Sequence, residues 1–360
     1  MIDLIREPFC RQHRQDMDTE VVSPAVHYTI SFVYFVLAIL SFSLNSVVLF
    51  TFVMDHSLLF PANLLVLSIA IADWLMGVVA NFMGGVANAS GSAAFGDKTC
   101  IFYGFVTTLL GLGAMLHHAA FAVDRYLVIT RPMAAQHSMV RMLAVIGLLW
   151  VFALMWSLFP LLGWSAYVPE AGNIACSIRW QSSRSVDTSY IICLFIFFYF
   201  GPLGVIGYCY TMVYLNVRYM TRNAQKIWGP NAAATMETVQ ASWKMAKIAL
   251  VMVIGFFLAW TPYAVVSFYS AFYVADDITP VFAALPSMFA KTSTFYNPII
   301  YFFAYKSFRE SLVKSWRRYR NRNAVVPLNQ ASNSAFVISA RASRNFDDST
   351  SVEEIPLSVA

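Results

Sequence analysis

The sequence predicts an all-α membrane protein: a seven-transmembrane-helix bundle followed by a short amphipathic cytoplasmic helix. Three observations predict it. Hydrophobic residues make up 59% of the chain and charged ones only 12%, against roughly 25% charged in a soluble domain. The missing charge is concentrated. Residues 26–54, 101–123, 143–162, 188–217 and 248–275 hold no Asp, Glu, Lys or Arg, while 61–83 and 278–305 hold one each, Asp73 and Lys291. Every one of these runs reaches the about 20 residues that ~30 Å of hydrocarbon requires at 1.5 Å per residue.

Residues 1–25 are polar, of mixed charge, and lack an apolar core or cleavage-site pattern. They are expected to form an extracellular arm without a removable signal peptide, the first span serving as targeting signal. Residues 26–303 are then the transmembrane domain. Its longer loops are an outer one at 163–187 and an inner one at 218–247, where Gly229-Pro230-Asn231 marks a turn. From Tyr305 to Arg320, Phe308, Leu312 and Trp316 recur every four residues among Lys and Arg. That pattern predicts a basic amphipathic helix over 304–320 on the inner leaflet, the alternative being an extension of span seven. Residues 321–360, rich in Ser, Asn, Ala and acid, are expected to be a disordered cytoplasmic tail.

Loop charge sets the orientation. One set of loops and the segment after the last span, from Arg125 to Arg322, carry 15 Lys and Arg; the opposite set, from Arg6 to Arg184, carries 6. The N-terminus is therefore expected outside and the C-terminus in the cytoplasm, although the first inner loop, Asp55 to Phe60, carries neither residue. The net charge of +5 belongs to this topology. No basic cluster sits on a soluble domain, so no nucleic-acid partner is expected. Cys100 and Cys176 fall outside, where an oxidising environment permits a disulfide. Cys193 and Cys209 read as apolar fillers of span five, and Cys10 is left over on the arm.

Lys291 carries the strongest chemical signal. Ten residues beyond Val281 it lies roughly 15 Å deep, near the bilayer midplane, where an ammonium costs at least ~2.5–3.5 kcal/mol. A desolvated amine is a nucleophile for an aldehyde, and an imine with an apolar aldehyde accounts for both residue and depth. A buried ion pair or a transport site accounts for the Lys equally well.

The surrounding motifs narrow the choice. Asp73, Asp124-Arg125-Tyr126, Trp260-Thr261-Pro262-Tyr263 and Asn297-Pro298-Ile299-Ile300-Tyr301, each on its expected span, resemble the rhodopsin-type G-protein-coupled receptors over about residues 26–316. Within that family, a Lys six residues before Asn-Pro is the mark of an opsin. The runs 289–298 and 162–169 are especially similar to peropsins.

That resemblance implies a cofactor: retinal, 11-cis or all-trans, held as a covalent Schiff base on Lys291. It implies a Cys100–Cys176 disulfide pinning a lid over the retinal pocket, with Gly111, Trp260, Tyr263, Phe198 and Tyr199 lining it. A protonated Schiff base in a low-dielectric site needs a negative partner. Tyr103 stands where vertebrate visual pigments carry a Glu, so the counterion falls to Glu170, six residues before Cys176. On the inner side Arg125 would bind a heterotrimeric G protein once span six swings out, with Tyr210 and Tyr301 stabilising that form. Two departures weaken the signalling reading. Ser242 stands where the family often has an acid facing Arg125, the nearest being Glu237, and Tyr305-Lys306-Ser307 replaces the Asn-Lys-Gln of ciliary visual opsins.

The reading is thus a light-sensing receptor of the plasma membrane and not an enzyme. Its rival is a photoisomerase that makes 11-cis-retinal from all-trans in light, and a receptor for a diffusible ligand is a third idea. Several features stand apart. His117 and His118, mid-span, read as a hydrogen-bonded structural pair, with an ion or proton role as alternative. Asn88-Ala89-Ser90 is a glycosylation sequon close to the membrane. Ser349, Thr350 and Ser351 are candidate kinase and arrestin sites. No metal-ligand cluster, phosphate loop or hydrolase triad is found.

Overall fold

Proline starts several of the helices. Pro24, Pro61 and Pro280 sit in the first turn of spans one, two and seven, where the missing N–H has no helical partner to lose. The computed structural model describes residues 22–90, 96–131, 138–182, 184–272, 279–304 and 306–323. Cys10, most of the 1–25 arm and the tail serines lie outside them.

The chain forms the expected seven-helix membrane fold. Spans one, three and four are Pro24–Met54, Asp97–Thr130 and Met139–Leu158. Span two runs Pro61–Leu75, turns through a π-helical segment Met76–Asn81, and continues as Phe82–Ala89. Span five does the same, with Ser185–Leu194, a π segment Phe195–Phe200 and then Gly201–Arg222. Span six is Ala232–Phe272. Span seven joins Pro280–Lys291 to Tyr296–Ala304 through a 3₁₀ turn, Thr292–Phe295. Large apolar side chains such as Phe32, Leu148, Leu258 and Val265 face outward, while Asn45, Asp73, His117 and Asn297 are buried. Such a surface suits hydrocarbon.

Two loop expectations need correction. The inner segment 218–247 is mostly helical: span five persists to Arg222, and span six begins at Ala232. It is broken at Asn223 and at Gly229–Asn231, with a short helix Ala224–Trp228 between them, and Gly229 sits at φ 53°, a conformation glycine adopts without steric cost. The polar residues that suggested a loop lie on helices extending past the apolar runs. The outer segment 163–187 contains an antiparallel hairpin, β1 (Tyr167–Pro169) and β2 (Cys176–Ile178), pairing Tyr167 with Ile178 and Pro169 with Cys176. A disulfide joins Cys176 to Cys100 at the top of span three. The hairpin lies on span three because Gly104 has no side chain; a Cβ there would meet the Tyr167 ring at 2.7 Å.

Residues through Ser311 form one compact unit and those from Leu312 a second. The helix predicted after span seven runs Lys306–Asn323. Phe308 packs on Tyr301, the ring centroids 6.3 Å apart.

The 3₁₀ turn behind Lys291 follows from Pro298. Its nitrogen has no hydrogen to offer the Thr294 carbonyl one turn earlier. Asn45 Nδ2 takes that place at 2.9 Å, and also donates to Ser41 O at 2.9 Å. Asn45→Ala strands a buried acceptor and is expected to destabilise the bundle by about 1–3 kcal/mol. Thermal unfolding in detergent reads this directly; an unchanged midpoint would remove Asn45 from the account.

Candidate functional site

Beneath the hairpin, spans three, five, six and seven line a common cavity together with residues of the hairpin itself. Most of its wall is apolar or aromatic: Leu112 and Met115 from span three, Phe195, Phe198 and Tyr199 from span five, Trp260 and Tyr263 from span six. Hydrogen bonds set several of these rings. Trp260 Nε1 donates to Ser293 Oγ at 3.2 Å, the Tyr199 and Thr261 hydroxyls meet at 2.9 Å, and Trp180 Nε1 donates to the Tyr263 hydroxyl at 3.0 Å. Gly111 gives Trp260 its room, since a Cβ would lie 2.7 Å from the indole. The π segment of span five brings Phe195 and Phe198 to the wall, an irregularity of the kind that recurs at functional sites.

The polar groups gather around one amine. Lys291 is 5% exposed; its Nζ donates to Ser287 O at 3.4 Å and lies 5.6 Å and 5.8 Å from the ring centres of Tyr34 and Tyr103. Both ring faces favour a cation there. Glu170 comes from the turn between the strands and lines the same cavity. Its Oε2 is shielded and makes no hydrogen bond. Burial pushes the Glu170 carboxyl above its ordinary value, outweighing the downward pull of the Lys291 charge and of the Ser177 and Ser287 hydroxyls. An amine opening onto an apolar cavity that a carboxyl group also lines can take an apolar aldehyde. The amine would attach it and the acid would balance the resulting charge.

The profile of the seven-transmembrane receptors of the rhodopsin family matches residues 44–301. The chain belongs to this family. Melanopsin-A of Danio rerio is 36% identical over 293 residues, which cover 80% of this chain and 49% of that protein. Melanopsin-B of Xenopus laevis is 34% identical, covering 84% and 58%. The crystal structure of squid rhodopsin superposes with a TM-score of 0.76 at 30% identity, covering 86% of this chain and 94% of that one. The receptor spans about half to three-fifths of the length of these melanopsins.

Of the residues singled out from sequence, Lys291, Glu170, Gly111, Trp260, Tyr263, Phe198 and Tyr199 come together on the cavity wall. Tyr103 stands behind the amine and not on the wall. Tyr34, Ser177, Ser287 and Trp180 were missed. Tyr34 had no local signal, being one aromatic in a charge-free span.

Toward the other end of the receptor, Asn297 Nδ2 donates to Asp73 Oδ2 at 3.0 Å. Arg125 forms an ion pair with Asp124, its neighbour in span three, with Nε 2.9 Å from Oδ2, and lies 5.4 Å from the Phe121 ring centre. Among the described residues no acid of span six pairs with Arg125. Tyr126 packs on Tyr208, and Tyr210 and Tyr301 are buried in separate clusters. His117 binds Ser68 Oγ at 3.0 Å and Gly113 O at 2.7 Å, while His118 binds Ala114 O at 2.8 Å and stacks on Phe256. These contacts support the structural reading of both histidines. Asn88 needs correction as a glycosylation site: it is fully buried, and its amide hydrogen-bonds to His27, Gly84 and Ile174.

Proposed function

We propose that this receptor senses light through retinal held as a Schiff base on Lys291, and signals through a heterotrimeric G protein at the plasma membrane. The observation that carries the proposal is the Lys291 amine, buried among Tyr34, Tyr103 and Ser287 and open to an aromatic cavity shared with Glu170. Retinal supplies visible absorption and a light-driven change of shape. The chain's own residues do the rest. Glu170 provides the negative charge that keeps a cation in this pocket. Trp260, wedged against Gly111 and tied to Ser293, is the side chain of span six that a change of cavity shape displaces first. A shift between two bundle packings then exposes Arg125 to the G protein, its release from Asp124 being local to span three.

The loop charges support an outer N-terminus and a cytoplasmic C-terminus, with the 321–360 tail offering receptor kinase and arrestin sites. The segments 289–298 and 162–169 support a peropsin-like branch. Light-dependent nucleotide exchange on a panel of G proteins tests the signalling role. A flat response would remove it, and release of 11-cis-retinal after uptake of all-trans would establish the photoisomerase instead.

A further inference from the structure

Asn88 occupies an unusual place among the buried polar groups, because three separate pieces of chain meet on its amide. Nδ2 donates to Gly84 O at 2.9 Å within span two and to Ile174 O at 2.8 Å in the outer hairpin. With both hydrogens used, its Oδ1 can only accept, so His27 at the start of span one carries its proton on Nδ1 and donates at 2.8 Å. Asn88 and His27 are both buried.

The hairpin turn that Asn88 grips holds Glu170. Glu170 N donates to Ala175 O at 2.8 Å, and Asn173 N donates to Glu170 O at 2.9 Å, closing residues 170–175 on themselves. Gly172 and Asn173 take positive φ, 68° and 54°, a conformation that costs free energy at a non-glycine residue. The Cys100–Cys176 disulfide fixes the far side of this turn; the Asn88 bond to Ile174 fixes the near side. Ile174 in turn packs in one cluster with Ile30, Tyr34, Ala284 and Met288. His27, Ile30 and Tyr34 fall on one face of span one at helical spacing, and Tyr34 is one of the two rings facing Lys291.

We propose that Asn88, locked by His27, is a positioning residue that holds the 170–175 turn so that the Glu170 carboxyl keeps its place in the cavity it shares with Lys291. The proposal rests on the retinal reading above. The titratable groups facing Glu170 are Lys291 from span seven, Tyr103 from span three and Tyr263 from span six. Asn88→Ala leaves all of them in place, so any change in the charge balance of the pocket comes from the turn.

The test uses the full chain in lipid nanodiscs, with two readouts. In protein without retinal, amide hydrogen exchange across 170–175 is expected to quicken about tenfold in Asn88→Ala, with spans three and six unchanged. In the pigment, the pH midpoint of the visible band is expected to fall by about one unit, because a displaced carboxylate stabilises the cation less. His27→Ala, which keeps the Asn88 bond to Ile174, is expected to move both readouts the same way by less. It serves if Asn88→Ala fails to fold. Unchanged exchange in the folded variant would overturn the proposal, as would quickened exchange with an unmoved midpoint. If the native chain forms no pigment, the retinal reading falls, while exchange across 170–175 still decides whether Asn88 holds the turn.

Discussion

Lys291→Ala is expected to abolish pigment formation outright. The attachment needs a primary amine, and among the residues lining the cavity Lys291 supplies the only one. Alanine leaves the aromatic wall intact but gives an aldehyde nothing to bond. The variant should still fold, because among the described residues the Lys291 side chain makes one hydrogen bond, the long one to Ser287 O, 3.4 Å, and the neutral form of Glu170 that burial favours needs no cation beside it. Native and variant protein would be incubated with 11-cis- and with all-trans-retinal, and the visible band and acid-trapped adduct measured. A band of native intensity from folded Lys291→Ala would remove the central claim. The same preparations, extracted before and after illumination, give the isomer composition that separates receptor from photoisomerase.

Glu170→Gln is expected to give the second largest effect, and its sign differs between the empty protein and the pigment. In the empty protein the carboxyl is held above its ordinary value of 4.5 because burial outweighs the neighbouring Lys291 charge and hydroxyls. A carboxyl raised in the folded state contributes stability that is complete below its unfolded value and is lost as pH rises through the folded one. Native protein should therefore lose stability relative to Glu170→Gln as pH climbs above the ordinary carboxyl value of 4.5. In the pigment the same carboxylate faces a fixed cation, and its removal should lower the pH midpoint of the visible band by roughly 1–3 units. Unfolding midpoints and spectra across that range check both halves. A midpoint that stays in place would pass the counterion role to another group.

Much of this was legible in the sequence, and the reason is physical. Hydrocarbon imposes a minimum length and an absence of charge, so all seven spans stand out as local patterns. A lone Lys in such a run is costly enough to announce itself. What escaped depends on distant residues meeting. Nothing near Tyr34 marks it as a neighbour of Lys291, and nothing in the Asn88 sequon shows that its amide is spent on His27 and Ile174. The 167–178 hairpin was missed because its strands are three residues each, too short for alternation to register. The inner ends of spans five and six were read as loop because helices outside the membrane no longer need to be apolar.

Span six keeps one helix over 41 residues, from Ala232 to Phe272, with Pro262 inside it and Trp260 two residues before. At 1.5 Å per residue the part from Ala232 to Pro262 is about 45 Å long. That makes it a lever with its pivot at the cavity and its free arm well beyond the ~30 Å of hydrocarbon. A swing of about 10° at Pro262, where the missing backbone bond softens the helix, carries the Ala232 end sideways by about 8 Å over that length. Two residues from that pivot, about 3 Å along the axis, the Trp260 backbone moves only about 0.5 Å in the same swing, so a small shift at the cavity is amplified roughly fifteenfold at the far end.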